Sequence, residues 1–370
     1  MTEPPDERGE LAALVADLHL AGGDGDPFSD DERFADAVAD LLASASGRRL
    51  RLVCLGDTFD FPAVILPGQR ATPATRPAEA VEKLDRIFAA HPLTVKALRC
   101  VVEAGHRVDF VAGNHDMELL MPGVQARLRD ALGGEAGAVE VHPWMLYVPG
   151  VLYAEHGQQH HDFNRFPWLG TTSSCEHGRL DVPAGSFFDA VTHLRRRQRN
   201  ASAIALTVQA VRLALGLVRA LLRLSRAERG REQREHLLAS APPSGLPPAA
   251  VVGIDRTAAA TPTSIARRAV ALASARLRPS RVPVRSPYMH AAARAVHRVL
   301  AAENSAVPFY AFGHTHVAED VALGDGARYL NPGTWSTMTR RVPGGDRRCG
   351  VVVIEWGRGI DPRAELRCHA

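Results

Sequence analysis

Short apolar runs recur at both ends of the chain, and five of them stop at the same kind of polar cluster. Leu11 to Ala16 gives way to Asp17-Leu-His19, and Leu52 to Leu55 gives way to Gly56-Asp57-Thr-Phe-Asp60. Val108 to Ala112 leads into Gly113-Asn114-His115-Asp116, Val151 to Ala154 into Glu155-His156-Gly157, and Pro308 to Phe312 into Gly313-His314-Thr-His316. Runs this short, apolar at successive positions, predict strands buried on both faces. Gly56 lets the backbone turn where its strand ends, which sets Asp57 at the carboxyl edge of a parallel sheet, where open α/β folds place ligands.

Between the strands the pattern turns helical. Ser29-Asp-Asp-Glu32 matches a capping box and predicts a helix to about Ala45, giving a β-α-β opening. One or two helices cover Ala78 to Gly105, another runs from about Met117 to Leu132, and another from about Tyr288 to Glu303. Short strands are expected at Val139 to His142 and Met145 to Val148, with closing strands at Val321 to Leu330 and Gly350 to Trp356. In the Pro-rich loop from Phe61 to Pro77, Val64, Ile65 and Leu66 either pack inward or line a pocket.

From about residue 162 to 290 strand signals fade, and Ala, Leu and Arg dominate. Long helices are predicted over Phe187 to Arg234 and a Pro/Ala linker over Ala241 to Pro262. The reading is one discontinuous domain, 1–161 and 291–370, interrupted by a helical cap at 162–290. Within Ala201 to Arg226, the residues Gln209, Arg212, Gly216, Arg219, Arg223 and Arg226 share one helical face and the rest is apolar. Such a helix suits packing on the domain or a second subunit, a lid over a lipid-like substrate, or peripheral contact with an anionic membrane surface. A membrane span is disfavoured, since each central Arg costs about 2.5–3.5 kcal/mol. Nucleic acid is disfavoured by the shortage of aromatics that could stack on bases.

Composition narrows the class further. A chain of 370 residues, 46% hydrophobic, can bury one large core or two modest ones, and a net charge of +3 gives no strong field for nucleic acid. Of 44 basic residues only Lys83 and Lys96 are lysine, so no single arginine is read as a phosphate clamp. Five scattered cysteines without CxxC spacing and an acidic first segment without an apolar signal core point to the cytoplasm.

The strand-end groups Asp17, His19, Asp57, Asn114, His156, His314 and His316 are too many ligands for one ion, but suit two adjacent ions that share a carboxylate. His156 is preferred over His177, which follows polar residues rather than an apolar run. His160 and His161 are read either as further contacts or as a solvated loop. Mixed imidazole and carboxylate ligands favour manganese, with iron or zinc as alternatives, over calcium. Metals about 3.5–4 Å apart can clamp a phosphoryl group and activate a bridging water at neutral pH.

In these five blocks, present in order, the chain resembles the calcineurin-like metallophosphoesterases, whose pattern runs D-x-H, G-D-x-x-D, G-N-H-[DE], a lone His, then G-H-x-H. The resemblance covers Leu11 to about Gly157 and Val307 to Trp356. It implies a four-layer α/β/β/α sandwich, here with a large helical insertion, and a dimetal site at one edge. It also implies that Asp17, His19, Asp57 and His316 hold one metal, and that Asp57, Asn114, His156 and His314 hold the other. By the same resemblance His115 is the general acid or transition-state stabiliser and Asp60 orients its imidazole, while Asp116 caps the following helix. The expected activity is hydrolysis of a phosphoester or pyrophosphate bond in a phosphorylated small-molecule or lipid-linked substrate. Asp17-Leu-His-Leu20 and the insertion also resemble the UDP-diacylglucosamine pyrophosphatases of lipid A synthesis, which carry Arg where this chain has His115. A non-catalytic scaffold is the alternative from another class, although such proteins erode the ligands that are intact here.

Overall fold

The computed structural model describes residues 9–23, 26–45, 47–67, 76–161, 164–165, 245–258, 287–337 and 349–368. It is a mixed α/β structure with two mixed sheets. The strands are β1 (Glu10–Val15), β2 (Arg49–Leu55), β3 (Arg107–Val111), β4 (Val139–His142), β5 (Met145–Val148) and β6 (Leu152–Glu155), followed by β7 (Phe309–Phe312), β8 (Glu319–Gly324), β9 (Ala327–Asn331), β10 (Gly350–Gly357) and β11 (Ile360–Cys368). The helices are α1 (Asp31–Ser44), α2 (Pro77–Ala90), α3 (Pro92–Glu103), α4 (Pro122–Leu132), α5 (Pro248–Thr257) and α6 (Pro287–Ala302).

One sheet runs β11-β10-β1-β2-β3-β4 and the other β5-β6-β7-β9-β8. β1 to β4 are mutually parallel, and so are β6, β7 and β9. Side-chain alternation assigns each strand two jobs. Ala12, Leu14, Val53, Leu55 and Val111 of the first sheet share a core with Leu152, Ala154, Phe309 and Ala311 of the second. The intervening residues Leu11, Ala13, Leu52 and Cys54 join Phe34, Val38 and Leu41 of α1 and Leu98 and Val101 of α3. Burial on both faces explains why these strands read as unbroken apolar runs. On the far face of the second sheet, Tyr310, Phe312 and Tyr329 pack with Met289 and Val296 of α6 and Ile254 of α5.

Several expectations are corrected here. The capping box does not form: α1 starts at Asp31, two residues after Ser29, so Asp30 rather than Ser29 stands at the N-cap, and it makes no side-chain cap bond. The helix expected from Met117 to Leu132 is a 3₁₀ turn, Met117–Leu120, then α4, since Pro122 holds Met121 extended. The Pro/Ala linker contains α5, whose Pro248 occupies a first-turn position where a missing N–H costs little and whose Ala250, Val251 and Ile254 are buried. β11 was not expected: its polar alternation and Pro362 suit a half-solvated edge strand. Val64 and Leu66 pack into the core. Helix α6 is the one expected from about Tyr288 to Glu303, and the amphipathic helix expected at 201–226, with most of the expected cap, lies outside the described residues.

Candidate metal centre

The parallel strands of both sheets end at one edge, and their next few residues turn back sharply. Asp17, His19, Asp57, His314 and His316 all have φ between 50° and 68°. Left-handed backbone is costly for residues with a Cβ and clusters at functional sites. Three glycines make room for this packing. A Cβ on Gly56 would lie 2.3 Å from the His156 ring, one on Gly113 would lie 2.2 Å from Asp57 Oδ1, and one on Gly313 would lie 2.8 Å from Asp17 Oδ2. The loops are laced together, with His19 N donating to Asp57 O at 2.8 Å and Gly313 N to His156 O at 3.0 Å.

Asp17, His19 and His316 form one group of potential ligands, and Asp57, His156 and His314 form a second. In the first, His316 Nε2 lies 3.1 Å from Asp17 Oδ1 and 3.2 Å from His19 Nε2. In the second, His156 Nε2 lies 3.1 Å from Asp57 Oδ2. That same oxygen is 3.8 Å from His19 Nε2, so Asp57 faces both groups. Its other oxygen accepts from His115 N at 2.8 Å. The seven residues named from the sequence thus sit at one edge, with Asn114 on the loop directly before His115.

The donor set fits divalent cations. Asp17 Oδ1, Asn114 Oδ1 and His156 Nε2 are buried without a hydrogen-bond partner. Buried polar atoms are rarely left so, and a cation satisfies oxygen and imidazole lone pairs together. His156 Nδ1 is 2.9 Å from Leu55 O, a contact that needs the proton on Nδ1 and turns Nε2 toward Asp57, where a bound cation would displace the Nε2 proton. Burial lowers the His19 pKa, with the neighbouring imidazoles adding to it against Asp60, and burial together with His156 and His161 holds His314 well below its ordinary value. Burial also opposes charge on His156, but Asp57 and Asp17 push it up to about 9. Burial would raise Asp57 too, yet His156, His115 and His19 hold its carboxyl well below the usual range.

No protein-family model and no curated protein matches the chain. Solved structures do. A dimetal phosphatase from Danio rerio aligns with 99% of this chain and 100% of its own, at 14% identity and a TM-score of 0.37. A phosphopantetheinyl hydrolase from Mycobacterium tuberculosis aligns with 92% of this chain and 99% of its own, at 14% identity and a TM-score of 0.25. Identities and scores of this size leave the chemistry of the site to its own geometry.

Around the two groups stand residues the sequence reading assigned differently or passed over. Asp116 stands at the N-cap of the Met117–Leu120 turn, but its side chain does not cap it: Oδ2 accepts from Thr58 N at 2.7 Å and Phe59 N at 3.3 Å, and Oδ1 accepts from Gly113 N at 2.7 Å, so it ties two ligand loops together. Asn331 donates to Gly313 O at 3.0 Å and Thr315 Oγ1 at 3.1 Å, shaping the His314–His316 loop, and Thr334 Oγ1 donates to Asp17 O at 2.7 Å. The signal for both was the Asn331-Pro-Gly-Thr334 stretch at the end of β9. His160 is no solvated residue: its ring stacks on Phe312 and Nε2 meets the buried Glu155. The His161 ring lies 5.4 Å from that of His314. Asp109, Glu140 and His142 also approach one another, but Arg51 and Arg107 already neutralise the two carboxylates.

Proposed function

We propose that the protein is a dimetal-dependent hydrolase of phosphoester or pyrophosphate bonds. The observation that carries this reading is Asp57 Oδ2, one carboxylate oxygen within 3.8 Å of imidazole nitrogens from both ligand groups, the position a bridging ligand needs. Asp17, His19, Asp57 and His316 would hold one ion, and Asp57, Asn114, His156 and His314 the other. When bound, such a pair supplies Lewis acidity and makes water nucleophilic at neutral pH. Manganese is the ion proposed first.

This chain's own contribution beyond the ligands is His115. Its Nδ1 is 3.1 Å from Asp60 Oδ1, which fixes the tautomer and leaves Nε2 to serve the departing oxygen. Burial would raise the Asp60 carboxyl, but the imidazoles of His115 and His19 hold it far below the ordinary range, so it remains an acceptor. The two-sheet core, with helices packed on each outer face, supports the four-layer sandwich, and the helical cap belongs to the same reading. Among the described residues no helix is long and apolar enough to cross a membrane.

The test is hydrolysis of para-nitrophenyl phosphate, its bis ester and a UDP-linked lipid analogue by metal-stripped protein with manganese restored. Turnover that returns with the metal supports the proposal, and the preferred ester assigns the bond type. Silence on all three with two ions bound would favour the scaffold.

A further inference from the structure

The chain uses arginine at all but two of its 44 basic positions, and the two lysines are placed oppositely. Lys96 is exposed on α3, whereas Lys83 on α2 is fully buried. A buried ammonium is unfavourable unless it is hydrogen-bonded and paired. Lys83 Nζ donates to Phe61 O at 3.0 Å, one residue beyond Asp60. Burial lowers its pKa, and the carboxylates of Glu118, Glu79 and Asp60 act against that.

The turn that Lys83 holds is a junction. Asp60 N donates to Leu20 O at 2.8 Å, beside His19, and Phe61 N donates to His115 O at 3.2 Å. The Asp60 carboxylate meets His115 Nδ1 at 3.1 Å, His19 Nδ1 at 3.4 Å and Ala63 N at 3.1 Å. From this geometry we infer that Lys83 is a positioning residue, a buried cation that pins the turn after Asp60 so that its carboxylate orients His115 beside His19. Lysine suits the place because its ammonium is a compact point charge with three donors, while a guanidinium is broad, planar and carries five. Lys83 touches neither the reacting atoms nor the ligand groups.

This role rests on the hydrolase reading, and the test separates the two. The variants are Lys83→Met and Lys83→Met with Glu118→Leu, the second removing both charges so that no lone buried charge opposes folding. Leu41→Ala, at the far end of α1, serves as a control of matched thermal stability. On manganese-loaded full-length protein, both lysine variants are expected to keep two ions and a KM within twofold. Their kcat falls tenfold or more, and in the zinc-loaded protein, whose diamagnetic ions leave the resonance sharp, the His115 Nδ1 proton signal in histidine ¹⁵N spectra is lost, while Leu41→Ala keeps both. A kcat within twofold of wild type, or a fall shared by Leu41→Ala, overturns the inference. If the wild type turns over no ester, the hydrolase reading fails on its own. The spectra still decide the role of Lys83, and an unaltered His115 signal rejects it.

Discussion

His115 Nδ1 lies 3.1 Å from Asp60 Oδ1, with both side chains buried against the ligand groups. With the Nδ1 proton held by Asp60, the ring presents Nε2 in one direction, and the protonated ring can donate from there to a departing oxygen. His115→Ala is therefore expected to lower kcat by about 10²–10⁴-fold, the usual worth of a positioned acid or base. Bound metal, measured by elemental analysis, should be unchanged. A parallel loss of metal would make His115 a ligand rather than an acid.

Gly56 is held at φ +80°, and a Cβ there would intrude into the His156 ring. Gly56→Ala should destabilise the fold by roughly 1–3 kcal/mol through strain and overpacking. It should also weaken one of the two metal sites, because His156 must move. Thermal unfolding and metal titration together test this, and a variant with wild-type midpoint and both ions would refute the close packing.

His91 has acceptors at both ring nitrogens, Asp31 Oδ2 at 3.0 Å on one and Asp26 Oδ2 at 2.8 Å and Ala21 O at 2.9 Å on the other. Only the imidazolium can donate to both sides. Burial opposes that charge, but Asp26 and Asp31 push the pKa up to about 9 from an ordinary 6.5. A raised folded-state value stabilises fully below about pH 6.5 and is lost as pH rises through about 9. Discounted for solvent screening, the loss is of order 2 kcal/mol. Denaturant midpoints should fall across that window in wild type and stay nearly flat in His91→Gln.

Removing the metals should lower stability as well as activity. Ions that bind only the folded state stabilise it by about 2.7 kcal/mol at a hundredfold excess over Kd. Chelated protein is expected to melt earlier and to recover on adding manganese. An unmoved melting temperature would argue against ions at this edge.

Much of the architecture was legible in the sequence because burial on both faces leaves a plain mark, a short apolar run with a polar end. The parallel pairing of β1 and β2 followed from that mark. Roles that depend on a distant partner left none. Asp116 looked like a helix cap because its partners Thr58 and Phe59 stand almost sixty residues away. Asp31 gave no sign of its partners Thr94 and His91, which lie about sixty residues on. Nothing local to Lys83 says that its face of α2 meets the turn after Asp60.

The most direct test of the central claim is to titrate metal-stripped protein with manganese while following hydrolysis of bis-para-nitrophenyl phosphate, in wild type and Asp57→Asn. The account predicts that wild-type activity saturates at two ions per chain and that Asp57→Asn, lacking the shared carboxylate, stays inactive at every metal concentration. Turnover that survives stripping, saturates at one ion, or persists in Asp57→Asn would contradict it.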